Sequence, residues 1–279
     1  MNCNIRNKAI LKAAGAAVFA AMFCMGCYDL GIEPSVKPPV ITTFVDIRDG
    51  RTYKQEQIGD QIWMAENLNY AADGSVCYGE GVIYDGRLSD GGALGWSVRE
   101  PGKDYLVYKT FTMKEICDMY GRLYDWNTAM NNESSSNAIP SGVEGVCPVG
   151  WHLPSAAEWE KLINYVGAHA GTKLKSHEFH SERNVPEGTD LYNFSALPGG
   201  RGSYVTVGQP GLLDDTPNYF NRGTQGYWWT STETTSNSDE VYYIYMTANV
   251  NDQREAQGVQ KYSAERHKYL HSVRCVHDY

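Results

Sequence analysis

Residues 147–162 read CPVGWHLPSAAEWEKL and join a rigid corner to the start of a helix. The corner, residues 147–154, contains two prolines that fix φ and a glycine that permits a sharp bend, so one conformation is favoured. Ser155 and Glu158 form a Ser-x-x-Glu capping box, which predicts that a helix begins after Ser155. Apolar residues recur at i, i+3, i+4 and i+7 within Trp159–Val166, so one helix face is predicted to pack in a core. These patterns predict a structural role for the stretch.

Strand patterns lie on both sides of the corner. The segments Thr43–Ile47, Thr52–Ile58 and Gln61–Met64 are separated by turn residues and predict a β-meander. The strongest later strand patterns are Tyr227–Thr232, Val241–Met246 and His271–Val276. Residues 72–108 are rich in Gly, Asp and Tyr and are interpreted as long surface loops, followed by a capping box at Thr112 and Glu115. Many strands and a few short helices, with little βαβ alternation, indicate an α+β domain.

The first residues have the pattern of a secretory signal. Three basic residues precede the mostly apolar run Ala13–Met25, which is too short for a membrane-spanning helix of about 20 residues. The run ends in Cys-Met-Gly-Cys, which resembles a bacterial lipobox although Cys24 and Met25 replace its usual residues. We therefore predict a lipoprotein signal peptide at 1–26, a lipidated Cys27 and a proline-rich tether through residue 43. The alternative is ordinary signal cleavage that leaves Cys27 as a free thiol.

Four cysteines remain after the lipid attachment site: Cys77, Cys117, Cys147 and Cys275. An even number outside the cytoplasm indicates disulfides, and four cysteines allow three pairings. We favour Cys77 with Cys117, because the closure is local, and Cys147 with Cys275, which would tie the corner to the last predicted strand. A metal site built from all four thiolates is the alternative, but no Cys-x-x-Cys pair occurs among the four and their spacings are very unequal.

The charge balance restricts the partners. Residues 1–26 hold three basic and no acidic residues, so the rest of the chain has 21 Lys and Arg against 33 Asp and Glu, a net charge of −12. This excess argues against nucleic acid and against anionic lipid head groups as binding partners.

Aromatic residues are the best sequence candidates for ligand contact. Four of them lie in or beside the Gly-rich segment, where their rings would stack on sugar faces or contact a protein: Tyr84, Trp96, Tyr105 and Tyr108. The alternative is that they pack within the loops. No cofactor is predicted. Calcium is kept as an alternative because Asp214 and Asp215, near Glu233, supply the oxygen ligands that this ion prefers.

The histidines and carboxylates do not form a recognisable catalytic pattern. His267 and His271 are four residues apart but lack the Glu of a His-Glu-x-x-His zinc motif, and both are predicted to be surface residues. His152 lies between Trp151 and Leu153 and is predicted to be a hydrogen-bonded structural histidine. No pair of carboxylates is nominated as a glycosidase acid and nucleophile, so no catalytic residue is predicted.

Several motifs in matching order resemble the Fibrobacter succinogenes major paralogous domain over roughly residues 44–279. They are IWMAENLNY at 62–70, YGRLYDW at 120–126, CPVGWHLP at 147–154, ALPGG at 196–200, WTST at 229–232 and SVRCV at 272–276. The resemblance implies a compact mixed domain like those of C-type lectins and formylglycine-generating enzymes, on a secreted or surface-anchored bacterial protein. It implies no known activity. The calcium-binding motifs of C-type lectins and the paired C-terminal cysteines of the oxidases do not occur here.

Taken together, these patterns predict a lipoprotein of the outer membrane or cell surface with a non-catalytic binding domain. The expected partner is a plant-fibre polysaccharide or another envelope protein. Two alternatives remain open: an extracellular hydrolase that acts on polysaccharide or peptide, and a purely structural envelope protein.

Overall fold

The computed structural model describes residues 42–81, 83–84, 87–88, 93–99, 106–177, 188–204, 217–235, 238–247 and 258–278. Within these ranges the chain forms sixteen strands and four short helices. The predicted signal peptide, Cys27 and most of the tether lie outside the described residues. The mixture of sheets and short helices gives an α+β fold, as the sequence indicates.

The first sheet has the strand order β1-β2-β3-β16-β9. Its strands are β1 (Thr42–Val45), β2 (Thr52–Ile58), β3 (Gln61–Met64), β9 (Trp151–His152) and β16 (Val276–His277). The first three are antiparallel neighbours, which confirms the predicted meander. β1 ends before Ile47 because the buried Asp46 turns inward, where its carboxylate accepts hydrogen bonds from Arg48.

The second sheet has the order β11-β10-β15-β12-β13-β14, and β8 pairs with β15 beside this path. Its strands are β8 (Leu123–Tyr124), β10 (Arg201–Ser203), β11 (Asn218–Phe220), β12 (Gln225–Glu233), β13 (Glu240–Thr247), β14 (Val259–Glu265) and β15 (Tyr269–Ser272). β12 and β13 confirm two of the predicted strands, whereas β14 is not among the predicted ones. The β14 sequence, VQKYSAE, has little apolar content because much of this strand is exposed.

The predicted strand His271–Val276 is wrong as a single element. β15 ends at Ser272 in the second sheet, and β16 begins at Val276 in the first. Arg274, which is completely buried, lies between them and donates to the side-chain oxygen of Asn67 at 2.8 Å and to the carbonyl of Phe194. These bonds hold the connecting residues outside either strand, so this segment joins the two sheets.

The segment predicted as long loops contains two hairpins. β4 (Ile83–Tyr84) pairs with β5 (Arg87–Leu88), and β6 (Ala93–Arg99) pairs in antiparallel register with β7 (Leu106–Thr112). The loop prediction is therefore wrong for these residues. The prediction fails because it gives most weight to the glycines, which indicate loops. The β-branched and aromatic residues of Leu106–Thr112 favour a strand.

The four helices are α1 (Met113–Tyr120), α2 (Trp126–Met130), α3 (Ala156–Val166) and α4 (Ala170–Leu174). Both predicted capping boxes form, at Thr112 before α1 and at Ser155 before α3. α3 buries Trp159, Leu162 and Val166, as its apolar spacing predicts. In the described part of the chain, no helix is both long and apolar enough to cross a membrane.

Two disulfides tie the domain together, Cys77–Cys117 and Cys147–Cys275. This is the pairing favoured from the sequence. The second bridge joins the corner to the segment between the two sheets. Trp151 of the corner is 3 % exposed and stacks on Phe44 with 4.2 Å between ring centroids. The disulfide and this stacking hold the corner in place, and residues 144–146, which lead directly into Cys147, are held with it.

Candidate functional site

A cleft of about 630 Å³ lies beside α2 and the residues that lead into the corner. Six separate segments of the chain contribute to it. Its lining consists of Arg48, Tyr70, Ala72, Asp73, Asp125, Asn127, Thr128, Asn131, Asn132, Glu144, Gly145, Val146, Tyr204 and His267. Most of these residues carry a polar side chain, so the cleft is suited to a ligand with many hydrogen-bonding groups.

One wall of the cleft is α2. Asp125 caps this helix, because its two carboxylate oxygens accept from the backbone N–H and the hydroxyl of Thr128 at 2.8 and 2.9 Å. The indole of Trp126 donates to the carbonyl of Thr230 at 2.8 Å and anchors the helix to β12. Asn131 and Asn132 follow the helix with positive φ, a conformation that asparagine adopts more readily than most residues.

A second wall is the backbone of residues 144–146, which packs directly against α2. The Val146 N–H donates to the carbonyl of Ala129 at 2.9 Å, and the Gly145 N–H donates to Glu133 at 2.8 Å. A Cβ atom on Gly145 would lie 2.4 Å from the Ala129 oxygen, so only glycine fits here. Since Cys147 follows at once, its disulfide holds this wall in place.

Arg48 closes one end of the cleft. Its Nη1 donates to the carbonyls of Val146 and Cys147 at 3.0 Å each, and its guanidinium lies 3.9 Å from the ring centroid of Tyr70. Burial lowers the pKa of Arg48, but the hydrogen bonds and charge of Asp46 outweigh this and raise the pKa above its usual value. The guanidinium is therefore charged and fixed in position.

His267 closes another part of the rim. The amide nitrogen Nδ2 of Asn127 lies 3.3 Å from Nδ1 of His267, and because an amide nitrogen only donates, Nδ1 accepts. The neighbouring Arg266 binds Glu233 at 2.7 Å, and Lys268 binds Glu265 at 2.7 Å. The two basic residues beside His267 are thus engaged with carboxylates outside the cleft.

Of the four predicted aromatic contact residues, only Tyr108 has a described side chain, and it is not among the residues that line the cleft. Tyr108 is 69 % exposed on β7. Tyr84 lies in β4 and Trp96 in β6, with side chains outside the described part of the structure, and Tyr105 lies wholly outside it. Their role in binding stays a prediction.

The calcium alternative gains no support from the described residues. Asp214 and Asp215 lie outside them, and Glu233 is paired with Arg266. Among the residues that the structure describes, no group of three or more His, Cys, Asp or Glu side chains is arranged to hold a metal ion.

His152 is buried and hydrogen-bonded, as predicted. Its Nε2 contacts Glu158 at 2.8 Å and its Nδ1 contacts Asp278 at 2.6 Å. Burial lowers the pKa of His152, but these two carboxylates outweigh that effect and raise the pKa above its usual value. The bonds connect the corner to α3 and to the residues after β16, which is a structural role.

The surface prediction holds for His267 but is wrong for His271. The ring of His271 is fully buried, with centroids 4.0 Å from Trp229 and 5.2 Å from Tyr227. Neither ring nitrogen has a hydrogen-bond partner among the described residues. Burial, and then the charge of Arg201, lower the pKa of His271 well below its usual value.

Sequence reasoning missed the cleft, and only a weak local signal pointed to it. Three asparagines, Asn127, Asn131 and Asn132, lie close together in the sequence. The other lining residues come from distant segments. Their proximity depends on the packing of the corner and both sheets.

Comparison with known proteins places the chain in a family. Neither a curated protein nor a solved structure matches it. The family model of the Fibrobacter succinogenes major domain matches residues 57–277, a range that contains both disulfides and every lining residue of the cleft except Arg48. The chain belongs to the Fibrobacter succinogenes major domain family.

Proposed function

We propose that this protein is a non-catalytic, surface-anchored binding protein that holds a glycan in the cleft beside α2. In this proposal the lipid on Cys27 attaches the chain to the outer membrane or cell surface, and residues 28–43 act as the tether. The expected glycan is a plant-fibre polysaccharide. A protein of the envelope is the other expected partner, and it is an outcome of the test below.

The observation that carries the proposal is the chemistry of the cleft lining. Asn127, Asn131 and Asn132 offer amides that both donate and accept, and Asp73 and Glu144 offer acceptors for hydroxyl groups. Sugars present such hydroxyls on every ring, and the tyrosines among the lining residues add aromatic surface for the C–H groups. The wall is held by the Cys147–Cys275 disulfide, so little ordering is needed on binding.

A binding role accounts for the cleft carboxylates better than catalysis. Asp125 is committed to capping α2, because both of its oxygens accept from Thr128. The histidine with two carboxylate partners, His152, is 1 % exposed and is not among the residues that line the cleft. The alternative function, a hydrolase, would release new reducing ends from the glycan, and these can be measured.

The anchoring part of the proposal rests on the signal pattern and the disulfides. Two disulfides are typical of proteins outside the cytoplasm. A Cys27→Ser variant is expected to leave the membrane fraction, measured by fractionation and immunoblotting. Unchanged membrane association of the variant would contradict lipid anchoring.

We also propose that the fold is related to those of C-type lectins and formylglycine-generating enzymes. The support is the resemblance of the sequence motifs, together with two sheets joined near the carboxyl end and a few short helices. An experimental structure compared with members of both groups tests this relationship.

The binding test uses the full chain in detergent and soluble oligosaccharides from cellulose, xylan and pectin, followed by calorimetry. Asn127→Ala is the test variant, because alanine suits the helix and removes one cleft amide. We expect it to weaken binding about tenfold, the effect of one lost hydrogen bond of about 1.4 kcal/mol. Tyr108→Ala is the matched control, since this exposed residue lies outside the cleft lining.

The outcomes separate the candidate functions. Loss of affinity in Tyr108→Ala with full affinity in Asn127→Ala would place the ligand on the aromatic residues instead. Release of new reducing ends during incubation would support the hydrolase, and absence of binding to all three glycans would favour a protein partner or a structural role.

A further inference from the structure

The charges around the cleft are not balanced. Among the described lining residues there are three carboxylates, those of Asp73, Asp125 and Glu144, and one guanidinium, that of Arg48. The ability of Arg48 to attract an acidic ligand therefore decides which class of glycan fits. Its hydrogen bonds determine that ability.

Arg48 is already neutralised by a buried partner. Its Nε and Nη2 donate to the two carboxylate oxygens of Asp46 at 2.9 and 2.7 Å, and Asp46 is 0 % exposed. Its Nη1 donates to two backbone carbonyls, which leaves no free edge for a bidentate contact with a ligand carboxylate. The charge of Arg48 is thus compensated within the protein.

The cleft carboxylates have no such compensation. Asp73 and Glu144 are both exposed, and in the described ranges neither forms an ion pair with a basic side chain. Asp125 accepts only from the neutral Thr128. Arg266 and Lys268, the basic residues on either side of His267, form ion pairs with Glu233 and Glu265, which do not line the cleft.

We infer that the cleft selects glycans without acidic groups and rejects uronate-containing ones. This inference rests on the proposed glycan-binding function and specifies its substrate class. The ligand hydroxyls donate to the carboxylates of Asp73 and Glu144, whereas a uronate would place a negative charge beside them with no uncompensated cation among the described lining residues. Neutral glucan and xylan chains fit this lining, and the free acid of pectin does not.

The central comparison is between oligogalacturonate and its methyl ester, which differ chiefly in charge, and two neutral glycans are added to it. The full chain in detergent is titrated by calorimetry at neutral pH with unesterified oligogalacturonate, called the free acid below although its carboxyl groups are ionised at this pH, and with its uncharged methyl ester. Cellulose and xylan oligosaccharides of the same length are titrated in the same way. At low salt, the best neutral ligand is expected to bind at least about tenfold more tightly than the free acid, as one unfavourable charge pair near a protein surface implies. The difference is expected to shrink in about 0.5 M salt, because salt screens exposed charges.

A charge-neutral variant locates the effect. Asp73→Asn combined with Glu144→Gln is expected to bring the affinity for the free acid to within about threefold of that for the neutral ligand. The residual difference is attributed to Asp125, the one lining carboxylate that the variant keeps, whose effect is partly screened by salt. Asp60→Asn removes one charge outside the cleft lining and is expected to keep the wild-type difference. Circular dichroism checks that each variant is folded.

Each outcome decides the inference. If the free acid binds as tightly as the neutral ligands, the charge selectivity is wrong while glycan binding stands. If the difference survives in the double variant, the cleft carboxylates are not its source and the inference is wrong. If none of the ligands binds, the proposed function and the inference fail together.

Discussion

Replacing Trp151 with alanine is expected to lower the free energy of unfolding by about 4 kcal/mol. The indole is 3 % exposed, stacks on Phe44 at 4.2 Å and meets His277 edge-on at 5.0 Å. Burying an aromatic side chain removes about 200 Å² from water, worth about 5 kcal/mol at ~25 cal/mol per Å². The alanine methyl recovers a small part, and measured Trp-to-Ala losses in cores are about 3 to 5 kcal/mol.

The assay is urea unfolding with the disulfides kept oxidised, followed by far-ultraviolet circular dichroism. A loss of about 4 kcal/mol also corresponds to a fall in Tm of about 8 to 16 °C for a domain of this size. Val149→Ala is the matched control in the same corner, because its side chain is 69 % exposed and its loss is expected to be below about 0.5 kcal/mol. A Trp151→Ala loss below about 1.5 kcal/mol, or a stable variant that lost only ligand binding, would refute the structural role of the corner.

Three further predictions concern stability. The folded protein keeps His271 neutral because its pKa is lowered, whereas in the unfolded chain this histidine takes up a proton below about pH 6.5. The free energy of unfolding therefore falls as the pH is lowered, by up to about 1.4 kcal/mol per pH unit. His271→Phe should remove this fall, as measured by urea unfolding between about pH 6.5 and 5. Replacing Cys147 and Cys275 with serine should cost about 5 kcal/mol by chemical unfolding, because their bridge closes a loop with a sequence separation of 128 residues. Gly145→Ala should cost more than about 2 kcal/mol in a thermal melt and abolish ligand binding, because its Cβ would meet the Ala129 oxygen at 2.4 Å.

Matched variants separate these effects from general damage. Exposed His177 serves as the control for the pH series, and an identical change of slope in His177→Phe would contradict the assignment to His271. Gly142 also has positive φ, but a Cβ atom there would meet no other atom within 4 Å, so Gly142→Ala should cost only about 1 kcal/mol. A disulfide variant as stable as the wild type would show that packing alone holds the corner.

Local signals explain what the sequence predicts well. The capping box of Ser155 and Glu158 and the apolar spacing after it determine α3 without help from distant residues. The formation of two disulfides is predicted by the even number of cysteines together with the signal-like pattern of the first residues. The meander follows from alternating residues separated by turns, and Gly50 and Gly59 take the positive φ that such turns need.

Long-range packing explains what the sequence does not predict. His271 carries a polar ring in an alternating segment, and its burial becomes visible only when the rings of Tyr227, Trp229 and Tyr243 from two other strands pack against it. The break between β15 and β16 depends on Arg274, whose partners lie 80 and 207 residues away in the chain. The cleft draws on six segments, so no local pattern contains it.

The segment that joins the two sheets has a consequence for how the molecule is assembled. β15 pairs with β8, β10 and β12, and β16 pairs with β3 and β9. The second sheet therefore lacks a strand until residue 272 has been synthesised, and the first until residue 277. The Cys147–Cys275 bridge likewise forms only after residue 275 emerges. Assembly is therefore a late event that joins distant parts of the chain, and topologies of this kind fold slowly. A chain that ended before residue 269 would lack an interior strand of each sheet and the bridge between the corner and the last strand.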